Sequence, residues 1–289
     1  MSLTSSLLRS PAAYRPSKAA ARISTTPRHI RKPRGSLFSR GPLLTRLAFL
    51  MSSFDVPLLA ARRRQVEWMD DPNADPEELR RSLQMIRWMS WMMCSPTVSL
   101  HYLKAFSRRW KPGQTIRILD IATGPADTPR SIVAWGRRRG FDVRVVGIDN
   151  HPYTTVFAAR SGVSDSRLQI VQADALNMPM ADGSFDYAMT TGFLHHLSDE
   201  DAMALLRNMD RLAKRGLIVA DLLRDRRLYW AVDTISYHTD AMFRHDAIAS
   251  VVQAFSRREI MSLRSGAGIG YTGYQWHFGH RFVLAGEKI

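Results

Sequence analysis

Two carboxylates in the middle of the chain stand where short apolar runs end. Asp120 follows Ile116, Ile118 and Leu119, and Asp149 follows Val143, Val145, Val146 and Ile148. Apolar β-branched runs of this length form buried strands. An acid at the carboxyl end of such a strand welcomes a positively charged ligand group and repels a pyrophosphate. The residues after Asp120 are small: Ala122, Thr123, Gly124, Pro125 and Ala126. Thr128 can then cap a helix, with Pro129 at its first position. The unit reads strand, small-residue turn, helix, a place where backbone approaches a ligand closely beside a helix N-terminus. Gly124 is the position that demands either such an approach or an unusual backbone angle. A nicotinamide or flavin site calls for Gly-x-Gly-x-x-Gly, but the residue three after Gly124 is Asp127. Asp149, closing the next run, is placed to accept the two hydroxyls of a ribose.

Taken together, these residues resemble the first motifs of the class I S-adenosylmethionine-dependent methyltransferases, and the resemblance runs from about residue 111 to the C-terminus. The family's first motif is an acid followed by Gly-x-Gly-x-Gly; here Asp120 is followed by Ala122, Gly124 and Ala126, with alanine at two of the three glycine positions. Similar Ala-Thr-Gly turns occur in the quinone-biosynthesis members, and polyketide-tailoring members are also alike. Gln172-Ala173-Asp174-Ala175 resembles the strand end that reads the adenine edge. Phe185-Asp186-Tyr187-Ala188-Met189-Thr190 resembles the fourth-strand motif, continued by Phe193-Leu194-His195-His196-Leu197. The resemblance implies S-adenosyl-L-methionine as cofactor, held by Asp120, Ala122, Gly124, Asp149, Asn150, Asp174, Ala175 and Thr190. Asp120 would meet its amino group, Asp149 its ribose, Asp174 its adenine and Thr190 its methionine part.

Methyl transfer from a sulfonium is an in-line displacement that needs mainly a positioned nucleophile in a dry site. A hydroxyl acceptor also benefits from a base. His195 and His196 follow the fourth strand at the carboxyl edge of the sheet, and Asp221 ends the fifth. These three are the catalytic candidates, with packing or a loop hydrogen bond as the alternative for the histidines. No metal site is expected, because His238, His245, His277 and His280 are scattered without an acidic cluster among them.

The elements that must position these groups follow from pattern. Strands near 143–148, 168–172, 185–190 and 215–220 alternate with helices near 128–138, 152–161 and 199–213. Such alternation predicts an α/β, doubly wound, mainly parallel sheet, seven-stranded if the resemblance holds. Ser198 caps the helix at 199. A helix is expected within 222–237 and another after Ser256, which with Glu259 forms a capping box. The runs 269–276 and 279–286 read as a closing hairpin. Ahead of the first strand, Asp75 and Pro76 open a helix to about residue 93, and a shorter helix follows within 96–110. Residues 55–112 thus form an N-terminal helical cap before a methyltransferase domain at 113–289. Trp88, Trp91, Tyr229, Trp230 and Tyr237 suggest an aromatic or apolar acceptor.

Composition sets further bounds. The chain has 289 residues, 45% hydrophobic, and a formal charge of +15. Residues 1–54 hold ten Lys or Arg and no acid, which leaves only +5 for the remainder. That basic, Ser-rich segment is expected to be disordered, either a transit peptide for an organelle such as the mitochondrion or an extension ahead of a start at Met51. Without a transit peptide the chain is expected in the cytoplasm. The nearly balanced body argues for a small-molecule acceptor over nucleic acid, although Arg137–Arg139 and Arg207 to Arg215 leave RNA or protein methylation as the alternative. With one cysteine, Cys94, no intrachain disulfide can form.

Overall fold

The computed structural model describes residues 59–71, 73–92, 95–160, 165–277 and 281–288. The basic segment 1–54 and Cys94 lie outside them. Residues 54–289 form one compact unit.

Among the described residues seven strands make a single sheet. They are β1 (Thr115–Ile121), β2 (Asp142–Asp149), β3 (Leu168–Gln172), β4 (Phe185–Thr191), β5 (Ala213–Leu222), β6 (Gly273–His277) and β7 (Arg281–Glu287), in the order β3-β2-β1-β4-β5-β7-β6. The first five run parallel, while β7 runs antiparallel to both β5 and β6. The sheet is therefore mixed but mainly parallel, with the expected hairpin at one edge. Chain order builds outward from β1 through β2 to β3, then returns to β4 on the other side. A crevice opens at that switch point, above the carboxyl ends of β1 and β4.

Both faces of the sheet are covered, which is why its strands are apolar nearly throughout. Helices α1 (Pro76–Met92), α2 (Ser95–Phe106), α3 (Asp127–Arg138) and α4 (Pro152–Arg160) precede β3, α5 (Asp199–Leu212) lies between β4 and β5, and α6 (Arg226–Ile235), α7 (Ala241–Gln253) and α8 (Arg257–Gly266) follow β5. On one face Leu103, Phe106 and Trp110 pack with Ile132 and Trp135 of α3 against Ile116, Ile118 and Tyr187. On the other, Leu205, Leu206 and Met209 of α5 and Ile260 and Leu263 of α8 pack against Leu119, Ile121 and Leu217.

Most local signals act as read. Asp75 Oδ1 accepts the N–H groups of Glu77 and Glu78 at 3.0 and 2.9 Å, Ser198 accepts from Asp201, and Ser256 with Glu259 forms the reciprocal capping box. Three expectations shift. The helix after β1 begins at Asp127 instead of behind Thr128, with Ala126 at its cap position in left-handed backbone and no side-chain cap. The helix placed in 222–237 begins only at Arg226, because β5 continues through Leu222 and Asp225 caps the helix by accepting from Arg227 and Leu228. Helix α7 was not expected; its Met242, Phe243, Asp246, Ala249, Val251 and Gln253 are all buried, so it lacks the single apolar stripe that betrays a surface helix. Among the described residues no helix is long and apolar enough to cross a membrane.

Candidate functional site

A cavity of about 560 Å³ occupies the crevice. Asp120, Ala122 and Gly124 line it from the end of β1, Asp149 and Asn150 from β2, and Asp174 and Ala175 from the loop after β3. Asp120 is buried and receives a hydrogen bond from Thr123 Oγ1 at 2.6 Å. Burial pushes its carboxyl up to about 7; the Thr123 bond opposes that shift and the nearby Asp149 adds to it. Asp149 Oδ2 accepts the Gly124 N–H and Oδ1 the His151 N–H, both at 3.0 Å. Burial raises its pKa despite those two donors. The same carboxylate thus fixes the turn after β1 and faces the cavity. Asp174 accepts from the Leu176 N–H at 2.9 Å and from Asn177 Nδ2 at 2.6 Å, which shapes its loop.

The turn itself is bent through left-handed backbone. Gly124 has φ +52°, and a Cβ placed there would meet nothing within 4 Å, so its open side faces space. Ala122 and Ala126 adopt φ of +54° and +61°, conformations costly for a residue with a Cβ. The alanines at two glycine positions therefore keep the glycine geometry.

Much of the remaining lining is apolar: Leu79, Leu83 and Ile86 of α1, with Met69, Phe193 and Leu197. Arg87 of α1 reaches Asp127 at the start of α3 at 3.2 Å, tying that helix to the turn. His196 also lines the cavity, whereas His195 and Asp221 lie behind it and are nearly fully buried. Asp221 Oδ1 faces His195 Nδ1 at 2.7 Å, and Asp70 Oδ2 faces His196 Nδ1 at 3.1 Å. Both Nε2 atoms turn toward Glu67, at 3.7 Å from Oε1 and Oε2 respectively. Burial alone would lower the His196 pKa, but the Asp70 hydrogen bond and the charges of Glu67, Asp70 and Asp221 outweigh it and raise it to about 9. Burial raises the carboxyl of Glu67.

Glu67 and Asp70 belong to a strap, residues 59–71, laid across the sheet's carboxyl edge. Asp246 of α7 accepts the N–H groups of Trp68 and Met69 at 2.7 and 2.9 Å. Ser250 and Gln253, also on α7, donate to Glu67 Oε1 at 2.8 and 2.6 Å. Arg62 donates to the carbonyls of His195, Leu197 and Gln253 while its guanidinium stacks 3.7 Å from the Phe255 ring centroid.

Residues 118–216 match the family model described as Methyltransferase domain. Residues 118–216 thus carry a methyltransferase domain, and the fold is that of S-adenosylmethionine-dependent methyltransferases. It is 41% identical over 110 residues to a demethylmenaquinone methyltransferase from Roseiflexus sp. (strain RS-1), covering 37% of this chain and 42% of that one. It is 33% identical over 122 residues to an O-methyltransferase from Pyrenophora dematioidea, covering 40% and 42%. The chain thus spans about two fifths of the length of the curated relatives it matches. In fold it is similar to a SAM-dependent methyltransferase from Aquifex aeolicus, with TM-score 0.51, 14% identity, and 74% and 99% of the two chains covered. It is likewise similar to a plantazolicin methyltransferase solved in complex with a pentazolic desmethylPZN analog and SAH, with TM-score 0.56, 12% identity, and 77% and 95% covered.

The methyltransferase fold gathers most of the residues expected around its cofactor into one place. Thr190 is the exception: it is fully buried, its Oγ1 donates to the Ile121 carbonyl at 2.9 Å, and the neighbouring Thr191 lines the cavity instead. Alternation along β4 turns successive side chains to opposite faces. The aromatic residues expected at the acceptor also differ in place. Trp88 is 50% exposed, Tyr229 and Trp230 meet edge to face at 5.5 Å, and Tyr237 lies beneath Arg244, none of them among the cavity's lining residues. Helix α6 packs on α7 and carries its aromatics there, away from the methyltransferase cavity. The side chain of Trp91 and the residue His280 lie outside what the structure describes.

Sequence reasoning did not find Glu67, Asp70 or Arg62. They lie outside the span that matches the family model, and nothing in Arg62-Arg63-Arg64-Gln65-Val66-Glu67 points to a site. Only the fold brings them to the two histidines.

Proposed function

We propose that this chain methylates a small apolar or aromatic molecule, on oxygen in preference to carbon or nitrogen, using S-adenosylmethionine. The observation that carries the reading is one cavity lined both by the carboxylates of Asp120, Asp149 and Asp174 and by the apolar side chains of Leu79, Leu83, Ile86 and Phe193. The residues present suit the cofactor. A buried acid such as Asp120 calls for a cationic partner, and Gly124 offers open backbone beside it. In this reading Asp120 meets the cofactor's ammonium, Asp149 its ribose hydroxyls, and Asp174 with Ala175 its adenine edge, while Ala122 and Asn150 border it. The relatives' names, demethylmenaquinone methyltransferase and O-methyltransferase, support an acceptor of this class.

When bound, the cofactor would supply a methyl on a sulfonium: an oxygen–carbon bond would form as the sulfur–carbon bond breaks, with the bonding pair staying on sulfur and the hydroxyl proton passing to neutral His196 or to water. The chain's share is to bind, orient and exclude water, which accounts for much of the acceleration in such a displacement. His196 is the polar side chain placed to hold an acceptor oxygen, and Asp70 orients its ring. His195 and Asp221 are positioning residues behind it. Incubation of the purified chain with labelled methyl donor and a metabolite extract tests the reading: methylation of a low-mass apolar compound is expected. Label entering RNA or protein instead would overturn the acceptor class, and donor binding without any methylated product would favour a non-catalytic role.

A further inference from the structure

Three side chains beside the cavity turn donor atoms toward one another. Glu67, His195 and His196 offer one carboxylate and two imidazole nitrogens whose atoms all lie within 4.8 Å of one another. His195 is 4% exposed, and its Nε2 has no hydrogen-bond partner among the described residues. The 3.7 Å from that nitrogen to Glu67 Oε1 is too long for a hydrogen bond. It is close to the separation of two ligands on one ion, since bonds of about 2.0–2.2 Å in tetrahedral array set donors roughly 3.3–3.6 Å apart.

We infer that Glu67, His195 and His196 form a binding site for one divalent transition-metal ion of the zinc class, at the wall of the cavity. Each imidazole is already oriented as metal-ligating histidines are, its Nδ1 held by a carboxylate, Asp221 for His195 and Asp70 for His196, and its Nε2 presented to the site. Glu67 is held in turn by Ser250 and Gln253. The carboxylates of Glu67 and Asp221 are both buried beside the two imidazoles, so an added divalent cation offsets charge that is costly to bury. Two imidazoles and one carboxylate suit zinc, iron(II) or cobalt(II) better than magnesium or calcium, which prefer oxygen throughout. Three protein ligands leave a further coordination position, the arrangement of catalytic rather than closed structural zinc sites. Because His196 lines the cavity, an acceptor oxygen can take that position, the ion then holding it in place of the His196 ring. Ion binding itself stands apart from the methyl-transfer reading and joins the strap to the loop after β4.

Cobalt(II) is the probe. The full chain, purified without a histidine tag and stripped with a chelator, is titrated with Co²⁺ while visible absorption is recorded. One equivalent is expected to give the intense bands of a low-coordinate site, abolished by zinc and resistant to excess magnesium. Glu67→Gln and His196→Gln, each checked for intact folding by circular dichroism, should weaken Co²⁺ binding at least tenfold. A spectrum equal to that of the hydrated ion would overturn the inference. So would unchanged affinity in both variants, which would place the ion elsewhere, or displacement by magnesium at equal concentration. Should Glu67→Gln not fold, the partly exposed His196 supplies the deciding variant.

Discussion

Asp221 grips His195 twice, Oδ2 accepting its backbone N–H at 2.9 Å and Oδ1 facing its ring Nδ1 at 2.7 Å. Both contacts are buried, so the end of β5 fixes the position and the ring orientation of the residue after β4. Burial opposes ionisation of Asp221, but His195 and the two backbone donors outweigh it and hold its pKa below the ordinary carboxylate value. Replacement by asparagine keeps the size and removes the charge. Asp221→Asn should cost about 1–3 kcal/mol of stability and weaken cobalt binding about tenfold, read by urea unfolding and by the absorption titration. Unchanged values in both would remove its positioning role.

Burial of Asp120 makes its carboxyl sensitive to pH near neutrality. Its pKa is about 7 in the folded chain against 3.8 for the free side chain. Between those values the folded state binds more protons than the unfolded one. Stability of the ligand-free chain should therefore fall as pH rises from about 4 to 7, by up to roughly 4 kcal/mol from this residue alone. A cationic ligand reverses the preference by stabilising the carboxylate. Cofactor affinity should then rise with pH through about 7, with release of a proton seen as a buffer-dependent heat in calorimetry. Asp120→Asn should bind more weakly and lose that dependence.

Backbone angle and ligand space separate at the turn after β1. Gly124→Ala meets no neighbouring atom, yet forces a Cβ into left-handed backbone, so about 1–2 kcal/mol of stability should be lost. Its methyl also projects into open space at a position that lines the cavity, and cofactor affinity should fall. Ala122→Gly relieves the strain at φ +54° and should raise the melting temperature slightly with affinity kept. Thermal unfolding with and without cofactor checks both.

Arg62 should matter more than a basic residue in an Arg-rich strap suggests. Its side chain satisfies three backbone carbonyls and covers Phe255. Arg62→Ala leaves those carbonyls without it and should cost about 3 kcal/mol, with faster proteolysis within 59–71. Lysine cannot reproduce the planar fork, so Arg62→Lys should recover little.

The first half of the sheet could be read because each strand is a short apolar run closed by an acid or a small-residue turn, as at Ile116 to Gly124. Asp120, Gly124 and Asp149 could be placed for the same reason: their roles depend on neighbours a few residues away. Thr190 could not be, since a one-residue difference along β4 decides between core and cavity. Helix α7 was hidden by burial on several sides. The cluster of Glu67, His195 and His196 is illegible in principle from one sequence, because its members meet only when the strap is pinned by Asp246 and Gln253. The aromatic residues misled because size and polarity say what packs well but not where a helix turns them.

If the carboxylates ending successive strands hold S-adenosylmethionine, isothermal titration of the full chain with that compound and with its demethylated product will show it. One site per chain is expected, weakened at least tenfold by Asp149→Ala in a protein whose unfolding remains cooperative. No binding of either compound, or equal affinity in the variant, would contradict it.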